Sequence, residues 1–168
     1  MSLEHPLHDN RLARRGPGPG LHLLVGGPSE AFDMTATFVR HRGTRAVART
    51  LRGTKARTSR ALFDECAAAW QFPPYFGENW DALDECLADL EWLPAEAYVF
   101  VITDASQLLA DDKPEALATF VTLLEGVVRD RSRAIPGASF HVVFQVDPEG
   151  ELALVDRLTK AKARFDRL

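Results

Sequence analysis

At 168 residues the chain can bury one sizeable core but is short for two independent domains, and 46% hydrophobic with 26% charged residues excludes wholesale disorder. A formal charge of -4 makes general binding of nucleic acid or of an anionic membrane a poor expectation. No run approaches the ~20 apolar residues of a membrane span, and both cysteines, Cys66 and Cys86, lie in apolar-periodic stretches, which points to a cytoplasmic protein with reduced, buried thiols.

In chain order, residues 1–20 end in Gly16-Pro17-Gly18-Pro19-Gly20, where backbone freedom combines with missing amide donors, so a flexible leader is expected and folding should begin near Leu21 as a single domain over 21–168. Leu21–Val25 reads as a buried strand stopped by Gly26-Gly27. Ser29 can cap a helix with Phe32, Ala36 and Val39 as its inward stripe, closed by Arg40, His41, Arg42 and Gly43. Ala46–Leu51 is the next strand. The following helix is capped by Thr58 or Ser59, buries Leu62, Phe63, Cys66, Ala69 and Trp70, and is broken by Pro73-Pro74. Asn79 caps a third helix with Trp80, Leu83, Leu87 and Leu90 on one stripe. Tyr98–Thr103 is apolar without alternation, as in a strand covered on both faces. Pro114 opens a helix to about Arg129, Phe140–Val146 supplies the last strand, and 151–167 predicts a final amphipathic helix through Leu152, Val155, Leu158 and Phe165. Strands alternating with helices imply an α/β fold with a mostly parallel sheet of three to four strands and packed helices.

The segment Pro73–Leu87 concentrates Glu78, Asp81, Asp84 and Glu85 without a base. Asp81 and Glu85 are spaced i,i+4 and Asp81 and Asp84 i,i+3, so they share a surface and repel by ~0.2–0.5 kcal/mol per pair. The helix dipole accounts for Asp81 in the first turn but not for Glu85, since that effect fades within a turn. A cationic partner would account for both.

The same segment, with Pro74-Tyr75-Phe76-Gly77-Glu78-Asn79, Asp81-Ala82-Leu83 and an acid before Cys86-Leu87, resembles the signature of the barstar family of ribonuclease inhibitors over roughly residues 44–146. The first strand and helix and the last helix lie outside the similarity. The resemblance implies a barstar-like fold and an inhibitory surface made of the third helix and the loop before it, whose acids imitate substrate phosphate. By position, Tyr75, Phe76, Gly77, Asn79, Trp80, Asp81, Asp84 and Glu85 would form the partner-binding site, with Gly77 allowing the turn that aims Tyr75 and Trp80 at the rim. Glu85 stands where barstar has Asp, and Asp84 replaces an aromatic residue. For the further acid that the family contributes from a later helix, Glu125 is the candidate.

The implied partner is a small basic ribonuclease or related nuclease toxin, with the chain as immunity protein or antitoxin and with no cofactor, metal, direct nucleic-acid or membrane contact; a basic partner that is not a ribonuclease is the alternative. An enzyme with Asp81 and Glu85 as acid/base pair fits poorly, because such pairs flank a cleft rather than share one exposed helix turn. A nucleic-acid-binding module would rest on the Arg-rich segment 40–60, namely Arg40, Arg42, Arg45, Arg49, Arg52, Lys55, Arg57 and Arg60, but the aromatics of a single-strand platform are absent, and the run can instead meet Asp and Glu elsewhere. His5, His8, His22, His41 and His141 show no metal-ligand spacing.

Overall fold

Alternate residues of each strand point to opposite faces of a sheet, and this chain covers both faces. The computed structural model describes Arg11, Leu12 and residues 20–168. Its elements are β1 (Leu21–Val25), α1 (Pro28–Arg42), β2 (Ala46–Arg52), α2 (Ser59–Trp70), α3 (Trp80–Asp89), β3 (Ala97–Thr103), α4 (Pro114–Ala134), β4 (Ser139–Val146), α5 (Glu151–Lys160) and β5 (Phe165–Arg167). The strands form one parallel sheet in the order β2-β3-β4-β1-β5. An α/β fold with a mostly parallel sheet is therefore correct, but with five strands rather than three or four.

On one face Leu51, Tyr98, Phe100, Ile102, Phe140, Val142 and Phe144 pack under α2, α3, α4 and α5. On the other, Val99, Val101, Val143 and Leu24 pack under α1 through Ala31, Met34 and Phe38. The largest buried rings gather on the first face: Trp70 stacks on Phe140 with centroids 5.7 Å apart and meets Phe100 edge-on at 5.3 Å. Each such side chain contributes ~1.5–3 kcal/mol through burial. At the C-terminal ends of the strands, buried Gln145 accepts from the Asp104 amide at 2.8 Å and donates to the Gly26 carbonyl at 2.6 Å, lacing β1, β3 and β4 together.

Four expectations need correction. The leader expected over 1–20 lies outside the described residues except for Arg11, Leu12 and Gly20, yet Leu12 is buried in the α1 core and Arg11 pairs with Glu30 at 2.9 Å, so packing begins before Leu21. In α1 the inward face is Ala31, Met34, Thr35 and Phe38, whereas Phe32 is 72% exposed; Thr35 tolerates burial because its hydroxyl donates to the Ala31 carbonyl at 2.6 Å. Ser29 does not cap α1, which starts at Gly27 with Pro28 in its first turn. The last helix stops at Lys160: Lys162 takes φ 60 and the chain turns into β5, where Phe165 pairs with Leu21.

β5 is also held by a buried polar chain. Asp166 Oδ1 lies 2.5 Å from His22 Nδ1, and His22 Nε2 lies 3.0 Å from His141 Nδ1. Burial, then His22 and then Arg42, hold the His141 pKa down to about 4, against an upward pull from Asp166. The unfolded chain protonates this residue near 6.5, so stability present above that pH is lost as pH falls toward about 4. Denaturant titrations across this window should show a loss of up to about 3 kcal/mol that His141→Asn removes.

Cys66 and Cys86 are free and buried, and burial pushes both thiols above their ordinary value. In the native protein both should resist a thiol reagent at mildly alkaline pH, Cys66 more than Cys86, and both should react after unfolding.

Candidate functional site

Two breaks make the loop before α3. α2 ends when Gln71 enters the left-handed region at φ 53, and Pro73-Pro74 prevent resumption. The loop is then pinned by rings: Phe76 lies 4.9 Å from Phe72 and 6.4 Å edge-on from Phe63, while Phe72 meets Trp92 at 6.0 Å. Phe76 is thus half-buried support, whereas neighbouring Tyr75 is 79% exposed.

The residue with positive φ in this turn is Glu78 at 50, not Gly77. What Gly77 provides is closeness, since a Cβ there would stand 3.2 Å from Asn79 Nδ2 and 3.4 Å from the Ala82 Cβ. Asn79 uses both ends of its amide: Oδ1 accepts from the Ala82 amide at 2.8 Å as the α3 cap, and Nδ2 donates to the Gly77 carbonyl at 3.1 Å. Trp80 is half-buried, edge-on to Phe63 at 5.0 Å and 6.2 Å from Phe120, so it joins α3 to α2 and α4 while keeping a partly open edge.

Leu83, Cys86 and Leu87 face the core, which turns Asp81, Asp84 and Glu85 outward, all three exposed. None of them has a basic partner among the described residues. Burial first, then Asp130, Asp81 and Glu85, raise the Asp84 carboxyl above its ordinary value. Asp81 and Asp84 border a groove of about 580 Å3 between α3 and α4, closed on the far side by Glu115, Thr119, Arg129 and Asp130. Arg129 is already engaged with Asp130 at 3.0 Å.

The loop and the acids thus converge on one surface, with Asn79 and Phe76 supporting it from within. Glu125 does not belong to it: its carboxylate accepts from the Arg164 amide at 2.9 Å beside β1. The α4 carboxylate that shares the groove with Asp81 and Asp84 is Glu115 at the start of the helix, which sequence reasoning passed over because a first-turn acid reads as dipole complementation.

Elsewhere, Arg45, Arg52 and Arg57 are bound within the chain to Glu96, Glu65 and Asp111, and Arg42 lies over the Phe38 ring at 5.7 Å. Over the turn from β1 to α1, a Cβ at Gly26 would stand 2.0 Å from Glu30 Oε2, so the glycine is what lets the Glu30 carboxylate lie against the turn. Among the described residues no group of three or more His, Cys, Asp or Glu is placed to hold a metal ion, and no helix is long and apolar enough to cross a membrane.

Support and repulsion separate experimentally. Asn79→Ala should cost ~1 kcal/mol by removing the cap. Asp84→Asn should gain ~0.2–0.5 kcal/mol for each like-charge contact relieved, most visibly above the carboxylate range where the wild-type side chain must ionise. Urea unfolding of both variants near neutrality reads both signs.

Comparison with known proteins adds two findings. In overall fold the chain is similar to the ADP form of the Aeropyrum pernix ORC2 protein, at TM-score 0.65 and 12% identity over 95% of this chain and 44% of that one. The ADPNP-ADP complexes of that protein match at TM-score 0.61 and 12% identity over 94% and 43%, and a Drosophila ORC bound to DNA at 0.50 and 14% over 93% and 27%. The chain therefore spans less than half the length of these structures, and identities this low show a shared fold alone. No curated protein matches the chain in sequence. Within the sequence itself, residues 46–145, which run from β2 through α3 to β4, match the family model described as Barstar (barnase inhibitor), and the chain belongs to that family.

Proposed function

We propose that the protein binds a small basic ribonuclease, or a related nuclease toxin, one to one in the cytoplasm and blocks its active site with α3 and the preceding loop, as an immunity protein or antitoxin without catalysis of its own. The observation that carries this reading is the outward row of Asp81, Asp84 and Glu85, held on a capped helix without a counter-charge among the described residues. A ribonuclease must hold substrate phosphates with Arg, Lys or His, so a fixed carboxylate row offers the same enzyme a complementary charge in the same place. Tyr75, large, exposed and standing on a rigid loop, is suited to anchor the contact, since its ring buries area while its hydroxyl stays paired. Glu115 extends the acidic surface across the groove, and Trp80 closes the rim. The barnase inhibitor description of the family supports this reading. The pairing of Arg45, Arg52 and Arg57 with acids of the same chain argues against a nucleic-acid role for segment 40–60.

Titration calorimetry against a panel of small basic ribonucleases tests the proposal. Asp81→Ala and Glu85→Ala should each weaken binding by ~2 kcal/mol or more if those carboxylates are desolvated against Arg or Lys, and association should slow as salt rises. Arg49→Ala and Arg57→Ala should leave inhibition intact. Wild-type affinity in both acidic variants, or no binding to any basic nuclease, overturns the mechanism.

A further inference from the structure

The sheet face opposite α3 is incompletely covered. α1 lies over the centre of that face and leaves a groove of about 710 Å3 along β2, bounded by Phe32, Ala36 and Val39 of the helix and by Ala46, Ala48 and Thr50 of the strand. β2 is the terminal strand, so its outer N–H and C=O groups have no strand partner among the described residues. At the middle of β2, Arg49 lines the groove and folds back so that Nη1 donates to the neighbouring Ala48 carbonyl at 2.9 Å. The arginines to either side are neutralised, Arg45 by Glu96 and Arg52 by Glu65, whereas Arg49 has no carboxylate partner among the described residues.

We propose that the open edge of β2 and this groove form a second docking surface, which takes an extended segment of another protein as a sixth strand with a carboxylate set on Arg49. Each feature selects part of that chemistry. An unpaired strand edge asks for extended backbone, and alanine and threonine walls ask for small apolar side chains at alternate positions. Arg49 asks for an acid, and turning toward it would release the Ala48 carbonyl to the incoming strand. A second copy of the chain fits badly: Arg49 is the central residue of Ala46–Arg52, so two-fold antiparallel pairing of β2 with itself would set Arg49 against Arg49. The groove itself lies on the α1 side of the sheet, whereas Arg49, in register with Phe100 and between Val47 and Leu51, leaves β2 on the opposite side and turns back at the open edge to Ala48. A sixth strand would therefore set its small side chains in the groove and its acid on Arg49 on alternate faces, at the sheet edge and not on α3.

The probe is a labelled peptide of alternating valine and threonine with a central glutamate, compared with its central-lysine analogue and with a backbone N-methylated form, each titrated against the full chain by fluorescence anisotropy and by amide chemical shifts. The glutamate peptide should bind about tenfold more tightly than the lysine peptide, Arg49→Gln should abolish that preference, and Arg49→Glu should reverse it. Shifts should centre on Ala46–Arg52, and N-methylation should remove binding. Equal affinity for the two peptides, shifts centred elsewhere, self-association through β2 in sedimentation, or tighter peptide binding after removal of residues 1–10 would overturn the proposal. Nuclease binding measured on the same Arg49 variants should be unchanged, so failure here is distinguishable from failure of the inhibitor reading.

Discussion

Trp70 stacks on Phe140, and Tyr98 stacks on Phe140 while lying tilted against Trp70; this contact decides where α3 can stand. The ring ends α2 against the middle of the sheet, and Trp92 donates to the Trp70 carbonyl at 2.9 Å from the far side of α3. Tyr98 ties the same far loop down, since its hydroxyl donates to the Leu93 carbonyl at 2.7 Å and accepts from the Ala95 amide at 2.9 Å. Arg131 lies over the Tyr98 ring at 4.6 Å and reaches the Ala88 and Asp89 carbonyls, placing a cation at the negative end of the α3 dipole. Among the described residues Trp70 Nε1 finds no acceptor, a cost of ~1–3 kcal/mol that the packing of the ring must outweigh. The C-terminal end of α3 is thus fastened to this aromatic cluster, and its first residue, Trp80, to a second one through Phe63 and Phe120.

That fastening explains how the helix tolerates its charges. An isolated ten-residue helix with Asp81, Asp84 and Glu85 on one face would not persist in water, because nucleation is costly and like charges at helical spacing add to the cost. Leu83 and Leu87 in the core and the Asn79 cap offset this, and the acids hold their positions without a counter-charge among the described residues. Repulsion of this kind is relieved by an approaching cation, so the same feature that weakens the free protein favours a basic partner.

The elements most legible in the sequence were those whose signals are local. Apolar runs gave β1 to β4, prolines and caps bounded α2 and α3, and the Pro73–Leu87 segment revealed the acidic helix with its loop. What the sequence hid depends on pairing between distant residues. β5 has three residues, too few for any periodicity, and exists because Phe165 and Asp166 meet Leu21 and His22. The α1 stripe was misplaced because Phe32 outranks Ala31 in hydrophobicity, although the small residue is the one that lets the helix approach the sheet. His22 and His141 were isolated histidines in sequence and bonded neighbours across two strands. Glu115 carries no signal in the sequence that ties it to the acidic helix; the α3–α4 groove is what brings it to the same site as Asp81.

The register of β1 carries a consequence for biosynthesis. Leu21 pairs with Val142 on one side and Phe165 on the other, so β1 has no place to lie until β4 and β5 have been synthesised after it. β2, β3 and β4 are ordered neighbours that close successively along the chain, so this central portion can condense while β1 waits. The acidic helix would then be assembled before the sheet is complete, and docking of β1 between β4 and β5, with His22 meeting Asp166, is the event that closes the five-stranded sheet.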